Sequence, residues 1–481
     1  MKRVFFPGAR RSVLPMLLAL MTAGAASGQA DEDTSASERI VVILNADSAR
    51  AMRVDGELAD ELMGNVALRQ GHTMLTAARA IRFKTSDQII FEGSVSVVDE
   101  GDSLSADRVV YESDVKTGVG TGNVRWSDGE VAITATLARY FLDEEIAEFE
   151  GDVVMEDSTT TVLSLAGKYD VDSRVASFWD DVYLEQRRLA LTAEVLTHER
   201  ESGLTTASGG VWIYRIPDDN PETSDARVVL VADSAGSNRD SGLNHLSGGA
   251  GLVRIETGNR ENDTLIVRSG AIIAEFTDST DTFNAAEDVR FLRGNLAGRA
   301  DSLHYSSLSD SVSSIRMLGE PFVWSADAQV NGDTVDVHTE SGRPRVLLAY
   351  ENAYVGFQDT TGDFVHQLKG RRLEAFFEED SLRRLELRPN AEALYFALDS
   401  TSEDQLSAMR FTSTQIRIEF EDGEIHRITA SDDVEGELTE IDDNATHPFL
   451  QGFQWRGLNR PKREDLLDAN VVDALIRFEP L

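Results

Sequence analysis

Apolar residues recur along this chain with a period of two inside short runs, and the runs themselves recur every 29 residues. Glycine stands at 64, 93, 122 and 151, aspartate at 180, and glycine again at 209. Two positions after each comes a valine: Val66, Val95, Val124, Val153, Val182 and Val211. Two further on the residue is large and apolar: Leu68, Val97, Trp126, Met155, Leu184 and Ile213. A second pair of columns lies deeper in each unit. Leu75, Leu104, Ile133, Val162 and Leu191 are aliphatic, and two residues later Ala77, Ala106, Ala135, Ser164 and Ala193 are small. Apolar positions two apart set one face of a strand on a core, so each repeat predicts two strands. Asn65, Ser94 and Asn123 are expected at the alternate, outward positions, with the glycine opening the strand. Turn formers at Gln70–Thr73, Asp99–Ser103 and Asp128–Glu130 separate the runs. Stretches such as VSVV favour strand over helix. A leucine-rich repeat would need a leucine and asparagine ladder that is absent.

One strand per sheet in each repeat, stacked along one axis, gives two facing antiparallel sheets growing into an elongated array. After Arg215 the period loosens, although LVADS at 230–234 and RADSLHY at 299–305 echo LNADS at 44–48 and SADRVVY at 105–111. Pro217 to Asp225 reads as a long loop or weak boundary, and Ser237 to Gly251, rich in glycine, serine and asparagine, as a second loop. The sequence GVGTG at 118–122 joins two strands and opens no helix, so it is expected to be a turn and not a phosphate loop. The expected organisation is a leader over residues 1–30, a first β region over 31–216, a loop-rich junction over 217–260, a second β region over 261–458, and a tail or short helix over 459–481.

Three stretches, GNVALRQGHTMLTAARAIRF, GSVSVVDEGDSLSADRVVY and GNVRWSDGEVAITATLARYF, resemble the OstA/LptA family of periplasmic lipopolysaccharide-transport proteins. The run from Asn352 to Phe396 and the closing FLQGFQWRGLNRPKREDL are similar to the longer OstA-like members, so the resemblance covers about residues 40 to 465. It implies an all-β fold, an open β-jellyroll built from repeats of about 29 residues, whose apolar interior accepts lipid A acyl chains. It also implies partners: lipopolysaccharide itself, and other jellyroll components of a transport bridge joined by edge-strand pairing. The chain departs from the family in being far longer than a minimal bridge protein. It has no C-terminal membrane barrel, and it lacks the cysteines expected of an outer-membrane translocon subunit.

Lys2, Arg3, Arg10 and Arg11 precede the apolar run VLPMLLALMTAGAA and the small residues ASGQA, the layout of a secretory signal peptide. The apolar run is too short to span a bilayer as a helix. With no cysteine, the exported chain is expected to have neither disulfides nor an acylated junction. It is expected to be soluble in the periplasm and to meet either membrane only through partners. A net charge of −38 disfavours nucleic acid and anionic membrane surfaces as direct partners.

The candidate acyl-chain surface is the inward set Val66, Leu68, Leu75, Val95, Val97, Leu104, Val124, Trp126, Ile133, Val153, Met155, Val162, Val182, Leu184 and Leu191. The same residues can equally form a dry core between the sheets. A charged residue at Val124 or Trp126 is expected to abolish lipid capture and spare the fold. Catalysis finds little support: the eight histidines are scattered, with none at metal-ligand spacing, and neither metal nor cofactor is expected. Asn262 and Asn444 match a glycosylation acceptor weakly. The leading reading is a non-enzymatic lipopolysaccharide carrier contributing to outer-membrane assembly. The alternatives are an envelope scaffold using the same sheets for protein contacts only, and a carbohydrate-active β-solenoid, which would need an acidic column that is missing.

Overall fold

The structure, a computed structural model, describes residues 41–467 apart from 87, 100, 187–188, 216–226, 239–242, 256–263, 277–279, 308–311, 326–327, 359–363, 399–405, 422–423 and 441–448. Residues 1–30, expected as a leader, and 217–225, expected as a loop, lie outside the described residues, as do Asn262, Asn444 and the chain beyond Leu467. The described chain is all-β and divides into two compact units between Gly209 and Gly210.

The first unit holds β1 (Val42–Asn45), β2 (Ser48–Val54), β3 (Glu57–Gln70), β4 (Thr73–Phe83), β5 (Gln88–Asp99), β6 (Asp102–Glu112), β7 (Thr117–Ser127), β8 (Ala132–Phe141), β9 (Ile146–Glu156), β10 (Thr160–Asp170), β11 (Val175–Gln186) and β12 (Leu189–Glu199); the boundary falls inside β13 (Leu204–Arg215). From β3 to β12 each strand pairs antiparallel with the next. The two-strand repeat is present, but its glycine does not open a strand. β5 starts at Gln88 and β7 at Thr117, so Gly93 and Gly122 sit in mid-strand. GVGTG at 118–122 is likewise strand rather than turn, because Gly118 to Thr121 pair with β6 on one side and β8 on the other.

At Gly64-Asn65, Gly93-Ser94, Gly122-Asn123, Gly151-Asp152 and Asp180-Asp181 both residues are left-handed, with φ between +47° and +80°. The pairing register slips at each pair. Each pair is a bulge that bends its strand sharply. Asn65, Ser94 and Asn123 are exposed, as expected, but they sit at corners, and each long strand gives one arm to each of two sheets. The corner explains two recurring words of the sequence together. At Gly122 a Cβ would lie 2.4 Å from Asp107 Oδ2, so a residue without a side chain is needed as well as one that tolerates positive φ. The next residue, Asn123, donates its side-chain amide to Asp107 Oδ2 at 2.8 Å, and Asn65 does the same to Asp47 at 3.1 Å. Gly-Asn on one strand thus locks onto Ala-Asp on its neighbour.

The arms beyond and before the corners are called arm A (Val124–Ser127 in β7) and arm B (Thr117–Thr121 in β7). Their inner faces meet. Trp126 on arm A of β7 lies 5.1 Å, ring centre to ring centre, from Tyr169 on arm B of β10. Outside, an ion-pair ladder crosses successive strands: Arg50 to Glu61, Glu61 to Arg79 at 2.6 Å, Arg79 to Glu92 at 3.0 Å and Glu92 to Arg108 at 3.3 Å. Arginine spans neighbouring strands with its planar fork.

The second unit contains β14 (Arg227–Asn238), β15 (Leu243–Ile255), β16 (Thr264–Phe276), β17 (Asp281–Arg293), β18 (Leu296–Ser307), β19 (Val312–Leu318), β20 (Phe322–Ser325), β21 (Ala328–Asn331), β22 (Thr334–Glu340), β23 (Arg343–Gln358), β24 (Val365–Glu378), β25 (Ser381–Arg388), β26 (Ala391–Leu398), β27 (Leu406–Ser413), β28 (Gln415–Glu421), β29 (Glu424–Ser431) and β30 (Glu435–Glu440). Of the zone Ser237–Gly251, expected as loop, the described residues 237–238 and 243–251 belong to β14 and β15: Ser234 pairs with Ser247 and Val231 with Gly251 across another left-handed corner, Gly248-Gly249. Small polar residues there signal a corner, not a loop. The 29-residue columns do not fade after Arg215 but lengthen. Gly209, Gly248 and Glu287 are 39 residues apart, and so are Ile213, Leu252 and Phe291.

The last described segment is residues 449–467. Leu450 and Phe453 pack against Tyr354 and Phe396. Arg456 stacks 4.4 Å above the Phe322 ring. The one-turn helix α1 (Arg463–Leu466) puts Leu466 onto Val229, Val231, Val253 and Ile266. The segment covers an apolar outer face that the runs of consecutive apolar residues in β14 to β16 leave behind.

Candidate functional site

The columns singled out in the sequence converge on the inner faces of the first unit. Val66, Leu75, Val95, Val97, Val124, Trp126, Ile133, Val153, Met155, Val162 and Val182 are at most 2% exposed, and Leu68, Leu184 and Leu191 are also buried. Leu104 alone among them is half-buried. Val124 pairs with Ala135 and Trp126 with Ile133, so the small second column makes room for the large first one.

Opposite this surface runs a set of residues that the columns did not include. Phe91, Phe149 and Phe178 share one register, separated by 58 and then 29 residues, and are at most 2% exposed. At the matching position between the first two, Gly120 replaces the ring. Gly118 stands beside it in the register of Ile89, Ala147 and Ala176. Gly118 is flanked in the sheet by Tyr111 and Tyr140, and Gly120 by Val109 and Ala138. A cavity of about 30 Å³ fills the gap, lined by Leu104, Val109, Tyr111, Gly118, Gly120, Trp126, Ala138, Arg139, Tyr140, Leu142, Ala147 and Phe149. That is room for one or two waters. Trp126 borders it, and its indole N–H has no acceptor among the described residues. The interrupted phenylalanine column was readable in the sequence, but only by following the position of GVGTG within the repeat.

A clasp closes the mouth between the two arms. Arg200, at the tip of arm B after β12, reaches the arm A turn after β7. It donates to Asp128 Oδ2 at 2.6 Å, to Glu130 at 2.9 Å and to the Tyr169 hydroxyl at 3.0 Å. Asp128 also builds its own turn, accepting the amides of Val131 at 2.8 Å and Glu130 at 3.0 Å. Burial alone would raise the Asp128 pKa; the two amides and the guanidinium outweigh it and hold the carboxyl below the usual range. Burial likewise works against the Arg200 charge, and the bonds to Asp128 and Tyr169 overcome it, so its pKa is raised.

Because the folded Asp128 pKa is depressed, its contribution is complete above the ordinary aspartate value near 3.9 and is lost as pH falls through the lower folded value. Arg200→Ala is expected to destabilise the first unit by about 1.5–3 kcal/mol at neutral pH, the range for hydrogen bonds to charged groups. The deficit should shrink below about pH 4. Urea unfolding of wild type and variant at neutral and acidic pH measures both. An equal deficit at the two pH values contradicts this account.

The second unit carries its own crossings. Arg215 on β13 meets both oxygens of Asp281 at 2.7 and 2.8 Å, and Arg254 on β15 pairs with the same carboxylate. Arg293 on β17 donates to Ser313 at 3.2 Å and Thr339 at 3.4 Å. These arginines, 39 residues apart, occupy the position six after each corner that Gln70, Asp99, Asp128, Asp157 and Gln186 hold in the first unit. The polar rim of the interior is thus acidic or amide in one unit and arginine in the other.

Buried histidines serve this framework. His198 shares a bond of 2.9 Å with Thr205, and His366 accepts the Phe396 amide at 3.2 Å. Among the described residues, no three of histidine, aspartate and glutamate converge as metal ligands do, and no helix is long and apolar enough to cross a membrane.

Comparison with known proteins bears on the first unit. Residues 38–194 match the family model of the OstA-like protein. No curated protein matches the chain. Among solved structures, the crystal structure of LptH is similar at 15% identity over 27% of this chain and 82% of its own, with a TM-score of 0.22. LptH is the LptA-homologous periplasmic component of the conserved lipopolysaccharide transport device of Pseudomonas aeruginosa. Strands β3 to β11, the five corners from Gly64-Asn65 to Asp180-Asp181 and Asp128 of the clasp fall inside residues 38–194, the segment over which the chain is similar to the OstA-like proteins.

Proposed function

We propose that the chain is a non-enzymatic, periplasmic lipopolysaccharide-binding or transport protein that contributes to outer-membrane assembly. The observation that carries this reading is the coincidence of the OstA-like segment, residues 38–194, with an apolar interior held between two hinged arms. Acyl chains would rest on the inner faces, each buried methylene contributing about 0.8 kcal/mol, with no bond made or broken. End strands would pair with partner jellyrolls. β1 presents Val42, Ile43 and Leu44 exposed, and among the described residues it pairs only with β3. A strand with one free edge is a template for addition.

One observation favours the scaffold reading instead: nearly every candidate groove residue is already covered by protein. The two readings separate in one experiment. Full-length chain carrying p-benzoylphenylalanine in place of Leu104, the half-buried member, is irradiated with purified lipopolysaccharide. Crosslinked lipopolysaccharide supports carriage. Failure to crosslink, with partner pairing at β1 intact, leaves the scaffold.

A further inference from the structure

The cavity at the broken phenylalanine column has a shape that limits what can occupy it. Two glycines, Gly118 and Gly120, withdraw the side chains of a single strand between two intact neighbours. At Gly118 the gap is one strand wide, about 4.8 Å, with Tyr111 on one side and Tyr140 on the other, and at Gly120 it is walled by Val109 and Ala138. An unbranched methylene chain, packing about 4 Å from its neighbours, fits such a slot, whereas a ring system or branched chain does not. The neighbours have drawn inward and leave only about 30 Å³, so an occupant must push Trp126 aside. Trp126 leans on Tyr169, and Tyr169 is held by Arg200. The clasp and the cavity are thus mechanically one device.

We propose that this cavity seats the methyl end of one unbranched saturated acyl chain, and that release of the Arg200 clasp from Asp128, Glu130 and Tyr169 admits it. The inference rests on the lipid-carrying reading and adds to it a single seat and a gate. The glycines are then functional omissions. A Cβ on Gly118 would meet nothing within 4 Å, and one on Gly120 would meet Ala106 and Val124 at 3.6 Å, an ordinary contact. Neither glycine is left-handed. Nothing in the backbone requires glycine at either position, and side chains there would improve packing.

The test uses the full chain and palmitate bearing a photoactivatable diazirine at its methyl end, with labelled residues located by mass spectrometry. The expected result is label on the slot walls, Val109, Tyr111, Tyr140 and Phe149. Gly118→Val should reduce that label at least tenfold while leaving the melting temperature unchanged or higher. Gly120→Phe, which restores the column, should act in the same direction, and Gly118→Val keeps the test readable if the larger ring misfolds. Arg200→Ala should speed labelling of the same residues. Label elsewhere in the interior, undiminished by Gly118→Val, overturns the seat while leaving lipid carriage standing. No label anywhere removes the lipid reading and the seat with it.

Discussion

Asp281→Ala is expected to destabilise the unit formed by residues 210–481 by about 3–5 kcal/mol, the range for removing one partner of a buried ion pair. Asp281 is 5% exposed and serves two arginines, Arg215 and Arg254, that are themselves 7% and 8% exposed. Both come from arm A tips and cross the mouth to an arm B tip, so the carboxylate ties the two sheets together as well as balancing charge. The guanidiniums also stand over Phe276 and Tyr305 at 5.8 and 5.7 Å, and those rings replace little of a lost carboxylate, because a cation over a ring is worth only about 0.5–2 kcal/mol. The melting transition of this unit should fall by roughly 6–20 °C at about 2–4 °C per kcal/mol. Raising salt should not rescue it, since buried pairs are screened weakly. A shift of under about 2 °C would show that the crossing is not what closes this mouth.

Val124→Asp is expected to unfold much of the first unit rather than to remove lipid alone. Val124 is 1% exposed and sits immediately after the Gly122-Asn123 corner. Losing its burial forfeits about 1.5–3 kcal/mol, and a buried unpaired carboxylate adds a penalty of several kcal/mol. Together these approach the whole stability of a typical domain, about 5–15 kcal/mol. Burial raises the pKa of such a carboxyl, so the loss should deepen as pH rises through that raised value. Circular dichroism and urea unfolding at acid and neutral pH decide the matter. A variant that keeps the wild-type transition would mean that this face yields to solvent, as an open groove does. The expectation that a charge here spares the fold treated the column as a wall facing a cavity. In the structure it is a core facing the opposite arm, and Gly118 is the better probe.

Much of this was legible because the repeat is written in side chains that alternate. Columns such as Val66–Val211 and Leu75–Leu191 identify buried faces, and their spacing of two identifies strands. The bend was less legible. Gly-Asn at a strand start and Gly-Asn at a mid-strand corner look alike when the partner strand is unknown. Only the contact of Asn123 with Asp107 distinguishes them, and it joins residues 16 apart. GVGTG misled for a related reason: glycine and threonine suggest a turn, yet Gly118 to Thr121 pair with β6 and β8 on both sides, and the bend comes only at Gly122. Mouth crossings such as Arg200 with Asp128, 72 residues apart, could not be read from local pattern, because the arms meet with an offset of several strands. The columns beyond Arg215 were present, but at a longer interval than the one being followed.

The corners give this architecture a way to grow. Between Gly209 and Glu287 the repeat gains length, yet the corner, the apolar pair after it and the rim residue keep their spacing: Gly209, Val211, Ile213 and Arg215 are matched by Gly248, Ala250, Leu252 and Arg254. The added residues fall mainly between the end of β13 and the start of β14 and between the end of β15 and the start of β16. Duplication and tip insertion can therefore act on separate parts of the repeat. A lineage can lengthen the outer loops, where new partners would be met, without shifting any inward residue to the wrong face. A single residue inserted between a corner and its rim position would turn every following side chain of that arm over. Variation in this fold should collect at the tips and spare the arms.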